Sequence, residues 1–376
     1  MQTSRWNWWL FAVLVGLGQS FVIIRGWQTD PQGYLFGDSG LYAAATDSLL
    51  RDGDLDLLNQ CYPQYASLDA ARFDPELQGD HSGEFGLSAW GTMTLKQSPV
   101  LSIAALPFYG LLGRVGFLVF NVVMLNLLLV LTVYLGGNGH AARIIVALGF
   151  LTTPLREYAY NFSPDLFLVA LMIGSLVAAR SGRVFTAGVL AGIAVSTKIY
   201  VVAILLPVPV LILVGQRSLR SLGFHVGGGI LGLLPALIMN TWLFGAPWVT
   251  GYERQLKIEN GVIGLADHTS RFTVPFVEGM TQLLFDARVG MVPTAPLWCL
   301  WPIAAVVLLR VRESLAWVLA TVGMIGMNFA VFACYDGWNG SVVGNRYLFP
   351  ALMAGLALIG ASVDQVINRA RPAGEA

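Results

Sequence analysis

The sequence predicts an all-α polytopic membrane protein with about ten transmembrane helices, within a range of roughly nine to eleven. Three observations carry this. The chain is 56% hydrophobic and only 12% charged. Its mean hydropathy is +0.65, outside the range of soluble domains. Apolar runs recur along its whole length, separated by polar segments of unequal size. The formal net charge is zero, which leaves no electrostatic case for nucleic acid as a partner. Cys61, Cys299 and Cys334 are far apart, as are His81, His140, His225 and His268. Neither set has metal-ligand spacing and the cysteines are odd in number, so no disulfide framework or metal motif follows; no cofactor is expected, and a divalent metal stays open but is not indicated.

In order, the apolar runs cover residues 8–24, 99–112, 115–135, 144–155, 166–179, 184–196, 199–214, 222–244, 291–309, 315–334 and 347–363. The first ends in IIRGWQTD, which lacks the small-residue site of a cleaved signal, so it reads as an uncleaved helix. Run 99–112 is short and holds Pro107, which is expected to interrupt it, so it is placed along the outer surface. Both termini then lie on the cytoplasmic side. Arg5, Arg143, Arg180, Arg183, Arg217, Arg220, Arg310, Arg312, Arg369 and Arg371 share that side, as the positive-inside rule requires. The same rule makes 184–214 a hairpin bent near Lys198, with Lys198 at its outer tip. Gly227, Gly228 and Gly229 read as sites of close helix packing.

This is a single transmembrane domain over residues 1–376. Its outer segments are a first loop at 25–114, a short one at 156–165, a second large one at 245–290 and a last turn at 335–346. Nearly all acidic residues fall in them; Glu313, Asp364 and Glu375 do not. Any chemistry is therefore expected on the outer, periplasmic or extracellular face of a bacterial cytoplasmic membrane.

The first outer loop opens with YLFGDSGLYAAATDSLLRDGDLDL, residues 34–57. Leu41, Ala45, Ser48 and Leu49 share a helical face that Asp47, Asp54 and Asp56 avoid. That pattern predicts an interfacial helix with its small apolar side on the membrane. Asp38 stands at its start, as a helix cap, as a catalytic base, or as both. Further on, LKQSPVLSIAALPFYGL sets Lys96 before a proline-started surface helix. Lys96 either snorkels to the headgroups or binds a lipid phosphate.

An acidic residue after the first span, then Lys-x-x-Pro, then an aspartate opening a later span, resembles the GT-C glycosyltransferases. Protein O-mannosyltransferases and lipid A aminoarabinose transferases belong to that superfamily. Unassigned bacterial members match best. Their start motif is met by Gly37, Asp38, Tyr42 and residues 48–57. A second motif is met by Phe244, Gly245, Pro247, Thr250, Gly251 and Tyr252. A third is met by residues 283–285, Arg288, Gly290, Ala295 and Pro296, and a fourth by Trp338, Gly340, Gly344 and residues 346–350. The order matters more than any one of them. The chain departs at Ser39, where many relatives carry a second acid, and at Leu41, where the aminoarabinose type carries arginine.

The resemblance implies an inverting hexosyl- or pentosyltransferase that takes a sugar from a polyprenyl-phosphate carrier, undecaprenyl phosphate in bacteria. The acceptor would be a glycan, a lipid or a protein. Such a reaction needs a carboxylate to take the acceptor's proton and cations to hold the departing phosphate. Asp38 is the candidate base. Asp165, in NFSPDLFLVA, is the second carboxylate, with helix capping as its structural alternative. For the donor phosphate the order is Lys96, Arg346, Arg288 and Lys198. Tyr42, Tyr252, Trp338 and Glu157 are candidates for sugar or acceptor contact. An aromatic belt explains Tyr252 and Trp338 equally well, and Arg156 explains Glu157 as an ion pair. Two other classes stay open: a transporter or flippase of a lipid-linked sugar, and a non-catalytic membrane assembly subunit.

Overall fold

The computed structural model describes residues 4–29, 38–137, 139–267, 271–311, 315–337 and 344–370. It is an all-α polytopic membrane protein. The only sheets among the described residues are two small hairpins. Helices α1 (Ser4–Thr29) and α2 (Asp38–Arg51) lead into the first long loop, with the short turns α3 (Leu58–Cys61) and α4 (Leu68–Ala71). That loop also holds the hairpin of β1 (Phe85–Leu87) and β2 (Met93–Leu95). There follow α5 (Val100–Leu112), α6 (Val115–Leu135), α7 (His140–Leu151), α8 (Asp165–Arg180) and α9 (Val184–Thr197). Next come α10 (Val201–Leu205), α11 (Pro207–Gln216) and α12 (Leu219–Phe244). The second hairpin, β3 (Leu256–Glu259) and β4 (Val262–Leu265), precedes α13 (Phe276–Phe285) and α14 (Met291–Thr294). The chain closes with α15 (Trp301–Leu309), α16 (Leu315–Ala333) and α17 (Phe349–Ala370).

Four segments are long and apolar enough to cross a bilayer: Val115–Leu135, Leu219–Phe244, Leu315–Ala333 and Arg346–Ala370. The last is 83% buried and packs on α6, α7, α8, α15 and α16, so it is the central post. Leu219–Phe244 is 17% buried, so most of its side chains face outward to lipid. What holds α12 to the bundle is α9. A Cβ at Gly188 would stand 2.0 Å from His225 O, and one at Gly192 would stand 2.2 Å from Gly229 O. From the other side, Gly228 and Gly232 face Phe185 O and Val189 O at 2.3 Å. Backbones this close permit no side chain. Ser196 adds a 3.0 Å hydrogen bond to Gly232 O. The packing glycines are therefore Gly228 and Gly232; Gly227 has open space around it, so its part of the sequence reading is corrected.

Two further expectations change. The apolar side of α2 meets protein, not lipid. Leu41, Tyr42, Ala45 and Ser48 are buried, chiefly against α5, and the Ser102 hydroxyl donates to Tyr42 O at 2.9 Å. α5 is itself the flat, half-exposed layer, and the helix passes through Pro107 without a break. At 13 residues it is about 20 Å long, short of a bilayer core of about 30 Å. The bend near Lys198 is present: α9 stops at Thr197 and Lys198 adopts extended backbone. Beyond it, α10 and α11 pack against α16.

The two long loops, distant in sequence, form one layer. Gly86 bridges Gln255, Leu87 N donates to Arg254 O at 2.7 Å, and Ile258 N donates to the Ser82 hydroxyl at 3.0 Å. Gly251 lies against the Lys96 backbone, where a Cβ would meet Lys96 Cα at 2.4 Å. This contact carries Tyr252 over the end of α9.

Candidate active site

Asp38 is the first residue of α2, and Tyr42 lies one turn further on the same face. The register of α2 is fixed from behind. Ser39 hydrogen-bonds Asn161, and Tyr109 hydrogen-bonds Asp47. The Tyr42 ring stands edge-on to Phe162, which stacks on Phe117 at 4.2 Å. Gln97 Nε2 lies 3.4 Å from Asp38 Oδ1.

Asp165 opens α8 behind Pro164. Ser163 does not cap the helix; its hydroxyl donates to Asp165 Oδ2 at 2.6 Å. Arg346 Nη1 stands 3.7 Å from the same oxygen, with side-chain exposures of 17% for Arg346 and 8% for Asp165. Both charges are thus largely withdrawn from water, where their attraction is only weakly screened. Arg346 is held in place by its turn. Asn345 caps the turn by accepting from Tyr347 N at 3.0 Å, and the Tyr158 hydroxyl donates to Gly344 O at 3.2 Å. Gly344 has φ +74° and a Cβ there would meet Pro154 at 2.3 Å, so only glycine fits.

Lys198, freed by the end of α9, donates to the Tyr252 hydroxyl at 3.3 Å. Burial works to lower its pKa, but Tyr252, Tyr42, Tyr200 and Asp38 outweigh it, so the ammonium sits well above the usual lysine range. The charge of Asp38 acts on both Lys198 and Arg346, and that of Asp165 acts on Arg346, Tyr42 and Tyr200. Two carboxylates and two cations therefore share one site. Arg346, Asp165, Tyr200 and Tyr347 line a small pocket whose other walls include Leu168, Met172 and Ile204.

The structure brings together Asp38, Tyr42, Asp165, Lys198, Tyr252 and Arg346 from the sequence candidates. It does not bring Lys96 into the group. The Lys96 ammonium donates to Gly83 O at 2.8 Å and pairs with Glu84 at 3.2 Å, so it neither snorkels nor meets Asp38. Its neighbour Gln97 is the one that reaches Asp38. The Arg288 side chain is exposed, although its carbonyl accepts from Gly344 N at 3.4 Å. Glu157 pairs with Arg156 at 3.1 Å, both side chains exposed on a 3-10 segment whose other face is buried. Trp338 lies outside the described residues, as do Gly37 and Gly340. Gln97, Ser163, Tyr200 and Tyr347 escaped the sequence reading. Ser163 alone left a trace there, as the residue two before Asp165. Three buried polar atoms here, Tyr42 Oη, Gln97 Oε1 and Arg346 Nε, have no hydrogen-bond partner among the described residues. No three acidic, histidine or cysteine side chains converge among the described residues.

The bundle is similar in fold to solved structures of the GT-C type. Among solved structures the chain is similar to ArnT from Cupriavidus metallidurans bound to undecaprenyl phosphate. The TM-score is 0.61 at 15% sequence identity, over 96% of this chain and 61% of that one. The apo state of the same ArnT gives 0.61 and 15%, over 96% and 60%. The chain thus spans about three-fifths of the length of these structures. No family model matches the sequence, and no curated protein matches it either.

Proposed function

We propose that this protein is a membrane glycosyltransferase that moves a sugar from a polyprenyl-monophosphate carrier to a hydroxyl acceptor on the outer face of a bacterial cytoplasmic membrane. The observation that carries the reading is the convergence of Asp38, Asp165, Lys198 and Arg346, with Asp165 and Arg346 lining a small pocket whose other walls include Leu168, Met172 and Ile204. That arrangement suits a ligand with an anionic head and a hydrocarbon tail. The ArnT likeness agrees with it, since that protein is bound to undecaprenyl phosphate in its structure.

In this mechanism Asp38 accepts the proton of the acceptor hydroxyl as its oxygen attacks the anomeric carbon. The bond from that carbon to the phosphate oxygen breaks on the opposite side, which inverts the centre. The electron pair leaves with the polyprenyl phosphate, which gains one negative charge. Lys198 and Arg346 stabilise that charge where water is scarce. Asp165 fixes Arg346 and borders the sugar, and Tyr252 and Tyr42 line its path. Arg288 and Glu157 lie toward the rim. Glycan, lipid and protein acceptors all satisfy this chemistry.

The test is release of undecaprenyl phosphate from radiolabelled undecaprenyl-phosphate hexoses and pentoses by the purified protein. Turnover is expected, with Asp38→Asn about a thousandfold slower. A panel of donors left intact by protein that also fails to bind undecaprenyl phosphate overturns the proposal. Movement of intact donor across liposomes would place the protein among transporters.

A further inference from the structure

Gln97 sits between two segments that fix it. β2 ends at Leu95, and Pro99 precedes α5. Its side chain is buried, at 4% exposure. A carboxylate can only accept, so the amide nitrogen must be the end facing Asp38, 3.4 Å away. That leaves Oε1 on the far side of the amide, buried and with no partner among the described residues. A buried carbonyl without a donor costs about 1–3 kcal/mol. Tyr42 Oη is in the same condition one helical turn from Asp38. Burial pushes its phenol far above the ordinary range, so it remains a neutral donor. One acceptor and one donor, both uncharged, thus flank Asp38.

We infer that Gln97 is a positioning residue for Asp38, and that with Tyr42 it forms a subsite for a neutral, hydroxyl-bearing group. The identity of what Asp38 acts on rests on the proposed transfer reaction. The Nε2–H holds the carboxylate in one rotamer, aimed at the acceptor oxygen. Oε1 takes an O–H from the sugar or its acceptor, and the Tyr42 hydroxyl donates to a neighbouring oxygen. An apolar or anionic group in this place would leave Oε1 unpaired or repelled. The phosphate belongs to Lys198 and Arg346, and the polyol belongs here.

The experiment uses the full chain with Gln97→Met, which matches the shape and lacks both polar ends, and Gln97→Glu, which keeps an oxygen and lacks the donor. With an undecaprenyl-phosphate sugar that the wild type turns over, Gln97→Met is expected to lower kcat at least about tenfold with donor KM within about threefold. Gln97→Glu is expected to fall as far, since two carboxylates then face each other. Binding of undecaprenyl phosphate alone should stay within about threefold of wild type in both. A second arm needs no turnover: labelling of Asp38 by a hydrophobic carbodiimide at fixed pH, followed by mass spectrometry. Loss of the amide donor should raise that rate at least about threefold in Gln97→Met. Gln97→Met with kcat within about twofold of wild type, or with unchanged Asp38 labelling, overturns the inference. If the wild type turns over no donor, the transfer reading falls, and the labelling arm still decides whether Gln97 holds Asp38.

Discussion

Replacing Arg346 by glutamine separates what this side chain does for the fold from what it does for a ligand. Arg346 Nη1 and Asp165 Oδ2 are 3.7 Å apart, and both side chains are mostly buried. At an effective dielectric constant of about 20, unit charges at that distance attract by about 4 kcal/mol. Arg346→Gln leaves Asp165 in the bundle without its cation, with the Ser163 hydroxyl beside it. Breaking one side of a buried pair costs about 3–5 kcal/mol, and the residual hydroxyl favours the lower figure, about 3 kcal/mol. The double variant Asp165→Asn/Arg346→Gln removes both charges and should return to within about 1 kcal/mol of wild type. Binding follows a different rule. Neither variant offers a guanidinium to the phosphate, so both should bind undecaprenyl phosphate about a hundredfold more weakly, near 2.7 kcal/mol. Unfolding in detergent gives the first quantity, and titration of undecaprenyl phosphate in nanodiscs gives the second. A single variant as stable as wild type would refute the buried-pair argument. A double variant that binds undecaprenyl phosphate normally would remove Arg346 from the phosphate site.

Lys198→Gln should weaken undecaprenyl phosphate binding by a similar factor of about a hundred, whereas Lys96→Gln should leave it within about threefold. Lys96→Gln should instead loosen the first loop by about 1–2 kcal/mol, read as faster proteolysis there, because its partners are Gly83 and Glu84. Gly192→Leu drives a side chain into Gly229 O and should cost at least about 3 kcal/mol in thermal unfolding, while Gly227→Leu, in open space, should cost under about 1 kcal/mol. Tyr42→Phe should lower turnover without moving the alkaline limb of the pH–rate profile below about pH 10. The raised phenol pKa keeps the hydroxyl protonated throughout that range, so its loss removes no titration there. A limb that shifts in the phenylalanine variant would mean the hydroxyl ionises during turnover.

The sequence by itself determined that this chain lives in a membrane, because apolar composition and run length answer to bilayer solvation and need no tertiary partner. It also put Asp38 and Asp165 at the starts of helices, since each stands next to a recognisable cap or proline. The break at Lys198 was legible from the arginine pairs that flank 184–214, which the positive-inside rule puts on one side. What it misread was direction. An amphipathic face tells that α2 must cover Leu41 and Ala45, and it is silent on whether lipid or α5 does the covering. Lys96 and Gln97 are neighbours, and nothing local tells which of them faces the site. Gly251 against Lys96 and Gln255 against Gly83 settle which, across more than a hundred residues of chain. Only the tertiary structure decided that Lys198 and Arg346, and not Lys96, stand with the two aspartates, because a charged site is assembled from contacts distant in sequence, whereas helical periodicity reports only on near neighbours.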